Sequence, residues 1–170
     1  LLVGLAWLYL DRLGEQDRSE VRRSIEARLS ALTAQSLLPN SNLACLDAVP
    51  DDLVLEACEK VLFSSPEQVS AGLTFVGARL DVLRDIAALP DSEEVAYDKW
   101  RQPLLRTLQA DRYGLVAQVL HSRDGCTAES CHAFAFLKNR EQLVANLRDR
   151  AYEARLAKHA SAWGDKPPAA

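Results

Sequence analysis

Apolar residues recur at helical spacing through most of the chain, and no alternation of apolar and polar residues reaches strand length. The first ten residues, Leu1 to Leu10, carry no charge and include Trp7 and Tyr9; Asp11 and Arg12 follow at once. This is the pattern of the trailing end of a membrane helix, with aromatics at headgroup level and charges just beyond. Ten residues fall short of the roughly 20 that span a bilayer. The anchor reading therefore expects further apolar sequence upstream. The tail of a retained signal sequence and a buried amphipathic helix compete with it, and no small-residue cleavage pattern follows the run.

Gly14 to Ser19 is polar enough to interrupt or thin this helix, and Asp17 with Glu20 has the spacing of a fresh N-cap. Val21, Ile25, Leu29 and Leu32 then form a narrow stripe among Arg22, Arg23, Glu26 and Arg28. So narrow a stripe suits a stalk pairing with one other helix, from this chain or a partner. A surface helix lying on the domain would carry the same stripe. Leu37-Leu38-Pro39-Asn40-Ser41-Asn42 is a break rich in turn formers.

Beyond the break the pattern predicts a succession of helices. One opens at Val49-Pro50-Asp51-Asp52 and carries Leu53, Val54, Ala57, Val61 and Leu62. Ser65-Pro66-Glu67-Gln68 starts the next: Ser65 caps, Pro66 presets the first turn and Gln68 can close the box. That helix runs to Leu89 before Pro90, with Leu73, Val76, Leu80, Leu83 and Ala87 as its stripe. Asp91 to Glu94 caps a short helix through Trp100, and Pro103 starts or kinks another that carries Leu104, Leu108, Leu115, Val119 and Leu120. Asn139 with Gln142 starts the last, with Leu143, Leu147, Ala151 and Leu156 on one face. Ala133 to Leu137 is a short apolar run that length alone does not assign.

The fold class expected is all-α: an N-terminal membrane-anchor and stalk helix followed by a small disulfide-stapled helical bundle. The boundaries are 1–14 for the end of the anchor, 15–40 for the stalk, 41–162 for the globular domain and 163–170 for a flexible tail. A chain of 170 residues, 48% hydrophobic and 26% charged, is long enough for one such domain. The net charge of -4 leaves no broad basic face, so nucleic acid is not an expected partner.

The four cysteines change the picture most. Cys45 with Cys58, and Cys126 with Cys131, are sequence-local pairs, and an even count beside an exported-looking N-terminus favours two disulfides. Four cysteines allow three connectivities, so the local pairing is an expectation. Cys126, Cys131 and His132 also read C-x4-C-H, a variant of the covalent haem-attachment motif. With no methionine in the chain, His121 or His159 would have to supply the second iron ligand. A zinc set can be drawn from His121, Cys126, Cys131 and His132, but adjacent ligands fit one tetrahedral ion poorly.

There is no Gly-rich phosphate loop, H-E-x-x-H or G-x-S-x-G, and the acid pairs Asp51/Asp52 and Glu93/Glu94 fall at helix starts. The expected function is therefore that of a non-catalytic, membrane-anchored accessory or scaffolding subunit with no cofactor, its domain in the periplasm or another oxidising compartment. It would act through contacts with membrane or envelope proteins, through membrane lipid at its N-terminal segment, and through homo-oligomerisation of the stalk. Its interface candidates are Trp7, Tyr9, Val21, Ile25, Leu29, Leu32, Tyr97, Trp100 and Arg101. A c-type haem electron-transfer protein is the alternative, and a small-ligand or lipid carrier a further one.

Overall fold

The structure is a computed structural model that describes residues 2–39, 41–47, 52–90 and 95–165, in backbone alone for 2–17, 52 and 165. Its elements in chain order are α1 (Leu2–Leu37), α2 (Ala44–Asp47), α3 (Asp52–Leu62) and α4 (Pro66–Ala87). A 3-10 turn at Val95–Tyr97 leads into α5 (Asp98–Ala110), and α6 (Leu115–Asp124) follows. After a second 3-10 turn at His132–Ala135 come α7 (Glu141–Asp149), α8 (Ala151–Ala160) and a last turn at Trp163–Asp165. Among the described residues there is no strand. The all-helical expectation holds, and the apolar run at Ala133 becomes a 3-10 turn that buries Ala133 and Leu137.

Helix α4 is the centre because it buries two faces. Val76, Leu80 and Leu83 pack with Leu62, Phe63, Leu115, Leu120, Leu137 and Leu143 in one core cluster. Val82 and Ile86 pack with Ile25, Leu29, Tyr97 and Leu104 in a second. Gly72 helps α6 approach: a Cβ there would lie 3.3 Å from the Leu115 side chain. The start of α4 is as expected, with the Gln68 amide donating to Ser65 Oγ at 3.4 Å. The Gln68 side chain does not close the box; its Oε1 accepts from Asn42 Nδ2 at 2.8 Å and ties the α1–α2 connection to the bundle.

Three expected helix boundaries are corrected. The polar stretch Gly14 to Ser19 neither interrupts α1 nor restarts it at Asp17; the helix is continuous from Leu2 to Leu37. The helix expected after Pro103 is two helices, and Pro103 lies inside the first. Asp111 adopts a left-handed conformation (φ 32°), Gly114 another (φ 76°), and the chain turns between α5 and α6. Glycine is required at 114, where a Cβ would sit 2.8 Å from the backbone nitrogen of Tyr152. The last expected helix is also split: left-handed Arg150 (φ 50°) ends α7 and begins α8. Arg140 occupies the cap position of α7, without a side-chain cap bond, in place of Asn139. Expectations that fell on Pro50, Asp51, Asp91 to Glu94, the end of the tail and the Trp7 and Tyr9 side chains lie outside the described residues.

One buried carboxylate holds the turn between α5 and α6. Gly114 has no side chain with which to cap α6, so Asp111 does it. Its Oδ1 accepts from the Val116 amide at 2.9 Å and its Oδ2 from the Ala117 amide at 3.0 Å. Asn146 on α7 donates to the Asp111 carbonyl at 2.7 Å and to Oδ2 at 2.9 Å, and Gln142 Nε2 donates to Asn146 Oδ1. Both Asp111 and Asn146 are buried. Burial pushes the Asp111 carboxyl up to about 6, against the hydrogen bonds from Asn146, Ala117 and Val116 that favour its charge. Asp111→Ala leaves the Val116 and Ala117 amides without their acceptor and takes from Asn146 one of its two, so it should destabilise the fold by about 3 kcal/mol, the range expected for stranded buried polar groups. Urea unfolding followed by circular dichroism measures this; a loss under about 0.5 kcal/mol, the size of an ordinary surface substitution, contradicts the assignment.

Candidate functional site

The residues expected at an interface form an internal seam. Ile25 (0% exposed), Leu29 (7%) and Tyr97 (3%) are buried in the second core cluster, with Leu32 and Trp100 packed against it. Burying each aliphatic side chain of this kind contributes about 1.5–3 kcal/mol. Arg101 donates twice to Asp98 Oδ1, at 2.8 and 2.6 Å, within its own helix. Val21 alone among the described members of the stripe is well exposed, at 44%.

The seam runs antiparallel to α4. Arg28 pairs with Asp85, Val21 borders a groove with Ala88 and Leu89, and Leu32 and Thr33 share a slot with Phe75 and Arg79. The N-terminal part of α1 thus continues past the C-terminal end of α4. From Leu2 to Ser19 this is roughly 27 Å of helix at 1.5 Å per residue. No helix among the described residues is long and apolar enough to cross a membrane.

The cysteines pair locally, as expected. Cys45–Cys58 joins α2 to α3 with a Cα separation of 5.5 Å, and Cys126–Cys131 closes the loop after α6 at 4.5 Å. Two disulfides in a domain of this size suit an oxidising compartment. Thioether attachment of a haem would consume both Cys126 and Cys131 sulfurs, so it excludes the bridge that joins them here.

The three histidines have separate surroundings. His121 bonds the Cys126 carbonyl through Nδ1 at 3.1 Å, and a carbonyl only accepts, so this nitrogen carries the proton. His159 lies on α8, 3.0 Å from Glu59 and stacked on Phe63, while His132 is exposed. The zinc set drawn from His121, Cys126, Cys131 and His132 is not assembled. Among the described residues no three His, Cys, Asp or Glu side chains are placed to hold a metal ion.

A surface cleft of about 300 Å³ lies over α6, α7 and α8, lined by Gln118, His121, Asn146, Arg150, Tyr152 and Glu153 among others. Arg150 donates to Glu153 at 2.9–3.0 Å from two nitrogens. Burial raises the Glu153 carboxyl, but its own backbone amide and the bonds and charge of Arg150 outweigh that and lower it. Besides this polar cleft, the described residues leave a slot of about 160 Å³ beside Trp100 and a more open groove of about 590 Å³ between Val21 and Leu89 for the carrier expectation.

The polar cluster that sequence reasoning missed joins α3 to α8 across about 100 positions of sequence. Glu59 accepts from Arg155 at 3.2 Å, Lys158 at 2.8 Å and His159 at 3.0 Å. Trp163 Nε1 donates to the Phe63 carbonyl at 3.0 Å just beyond. Nothing local in the sequence marks Glu59, whose partners all lie on one distant helix.

Two measurements follow from these clamps. Burial raises the Glu59 carboxyl, yet the hydrogen bonds of His159 and Lys158 and the charges of Lys158 and Arg155 bring it down to about 2. Because the folded value lies below the unfolded one, this stabilisation is complete above about pH 5 and disappears as pH falls toward 2. Its size is on the order of 1–3 kcal/mol, reduced from the full linkage value by the exposure of Lys158. Asp111 works in the opposite direction: its protonated form is favoured in the fold, a contribution present below about pH 4 and lost as pH rises through about 6. Glu59→Gln should therefore lower stability at pH 7 and flatten the acid limb of stability against pH below about 5. An unchanged acid limb contradicts the clamp. Replacing Cys45 and Cys58 together by serine should cost about 3 kcal/mol, as the loop-closure model gives for a ring of this length, and urea midpoints read it directly.

No family model matches the chain, and neither a curated protein nor a solved structure is similar to it.

Proposed function

We propose that this protein is a non-catalytic accessory or scaffolding subunit of a membrane or envelope assembly, working by protein contact in an oxidising compartment. The observation that carries the reading is the division of α1. Its C-terminal third is clamped to the bundle by Ile25, Leu29, Leu32 and the Arg28–Asp85 pair, while residues 18–24 are exposed and the helix continues past α4. A helix held to the bundle over Ile25 to Leu32 and exposed over residues 18–24 is read here as an arm. Burial of its seam fixes its direction, and the uncharged sequence Leu1 to Leu10 has the composition to meet a membrane or another envelope protein.

The two disulfides support the compartment, since such bridges persist where thiols are not kept reduced. They also stiffen the body from which the arm extends. Val21, half exposed where the seam leaves α4, is the place to test the reading. With a photo-crosslinking amino acid at Val21 of the full-length protein in its native cell, one discrete adduct with a membrane or envelope protein is expected. Recovery without any adduct, from a soluble fraction and as a free monomer, would overturn the proposal.

A further inference from the structure

A cleft of about 290 Å³ opens where the last turns of α4, the middle of α5 and the segment after the second 3-10 turn meet. It exists because α4 ends on small residues. Ala87 and Ala88 are both exposed and follow Arg84 by three and four positions, on the same face of the helix. Larger side chains there would fill the space. Leu83 on α4, Leu105 on α5 and Phe136 beyond the turn give the cleft apolar walls. Leu83 is buried in the first core cluster, and Leu105 and Phe136 pack against that cluster, so these walls are held in place.

The charged residues of the cleft are Arg84, Arg101 and Lys138, one from each of the three segments. No carboxylate lines it, whereas Glu153, Asp111, Asp47 and Asp85 respectively line the other clefts and slots. Asp81 and Asp124 accept from Arg84, and Asp98 from Arg101, but none of these acids is on the lining. Arg84 keeps one donor in reserve: its Nε is buried and has no acceptor among the described residues. Lys138 is exposed and makes no ion pair with a described residue. At long range the paired charges cancel, and Lys138 is left over. The C-terminal end of α4 offsets about half of that one charge. At contact distance the balance differs, since guanidinium and ammonium donors bond an anion directly.

A bare inorganic anion would meet these cations and leave Leu105 and Phe136 against water. A neutral hydrocarbon would cover the walls and strip water from the cations without replacing it. An occupant with both parts satisfies both. We propose that the cleft binds a small amphipathic anion, a carboxylate or phosphate head on a hydrocarbon body. The head meets Lys138, Arg84 and Arg101, and the body lies against Leu83, Leu105 and Phe136. The volume, at the lower end of ligand pockets, limits the body to a short chain or one ring. No residue of α1 lines the cleft, so this site and the arm's partner can fail separately.

Octanoate and octyl phosphate are the probes, with octanol and inorganic phosphate as controls that carry one part each. Titrated into the full chain and followed by calorimetry and amide chemical shifts, at least one probe should bind with a Kd on the order of 100 µM. Which of the two binds more tightly identifies the head. The shifts should gather at Ala87, Leu105 and Lys138. Octanol and inorganic phosphate should each bind about tenfold more weakly or worse. Lys138→Glu should weaken binding about tenfold or more, and Lys138→Arg should keep it. Ala87→Leu fills the cleft without touching a charge and should also weaken binding by about tenfold. Both positions are exposed, and circular dichroism of each variant checks that the fold is kept. No binding of either probe up to about 1 mM, or shifts that gather elsewhere, overturns the proposal. So does a control that binds as tightly as its probe, or an affinity indifferent to Lys138→Glu and Ala87→Leu.

Discussion

Everything else in the fold depends on α4 having to bury two faces at once. Val76, Leu80 and Leu83 on one side and Val82 and Ile86 on the other leave little of its circumference for water. An isolated helix with that distribution would be insoluble; here each face is covered by a different set of elements. The first face takes α3, α6 and α7, and the second takes α1 and the turn into α5. The chain's long first helix is therefore part of the body for a third of its length. Without α1, Val82 and Ile86 would lose Ile25 and Leu29 from their cover.

Polar groups do a different task from the apolar ones. The core fixes which helices meet, but α5, α6, α7 and α8 are short, and their relative angles depend on how the chain turns between them. Asp111 and Arg150 each take a left-handed backbone that costs a non-glycine residue about 1–2 kcal/mol. At Asp111 that cost is offset locally, because the same residue caps α6 and binds Asn146. At Arg150 the offset comes from the bond to Glu153 and from the amide that closes α7 on Asn146. Asn146 thus stands at the junction of both turns. Glu59 performs the equivalent task between α3 and α8, and it draws Arg155, Lys158 and the His159 ring from one helix, so the last helix is held at its polar as well as its apolar side.

What could be read in the sequence was what is decided locally. Ser65-Pro66 starts α4 because cap geometry involves only neighbouring residues, and the cysteines pair locally because a short loop brings them within reach. The two split helices were not legible. Leu104 to Leu120 and Leu143 to Leu156 each keep helical spacing across a break, since the residues on both sides of the turn face the same core. The period itself carries no mark of either turn; Gly114 is a local signal that goes with the first, and nothing comparable accompanies Arg150. The partners of Asp111 and Glu59 are distant in sequence, and a single sequence gives no pairing between distant residues. On the candidate site, the stripe from Val21 to Leu32 was visible as a seam, but its partner was not: a two-sided α4 was expected to show one stripe, and Val82 and Ile86 on its other face were passed over.

That omission bears directly on what the surface of this protein is for. A narrow stripe on an exposed-looking helix signals pairing without saying with whom. Once Ile25 and Leu29 are assigned to α4, they are no longer available to a partner, and the stalk ceases to be an argument for oligomerisation. Among the described residues, the large apolar side chains that remain outward are scattered: Val21 where the seam ends, Leu37 and Leu38 after it, Leu53, Val54 and Val61 on α3, and Val95. Surface apolar residues scattered singly carry little meaning. The burial of α1 thus turns the stripe that looked like a zipper into part of the core.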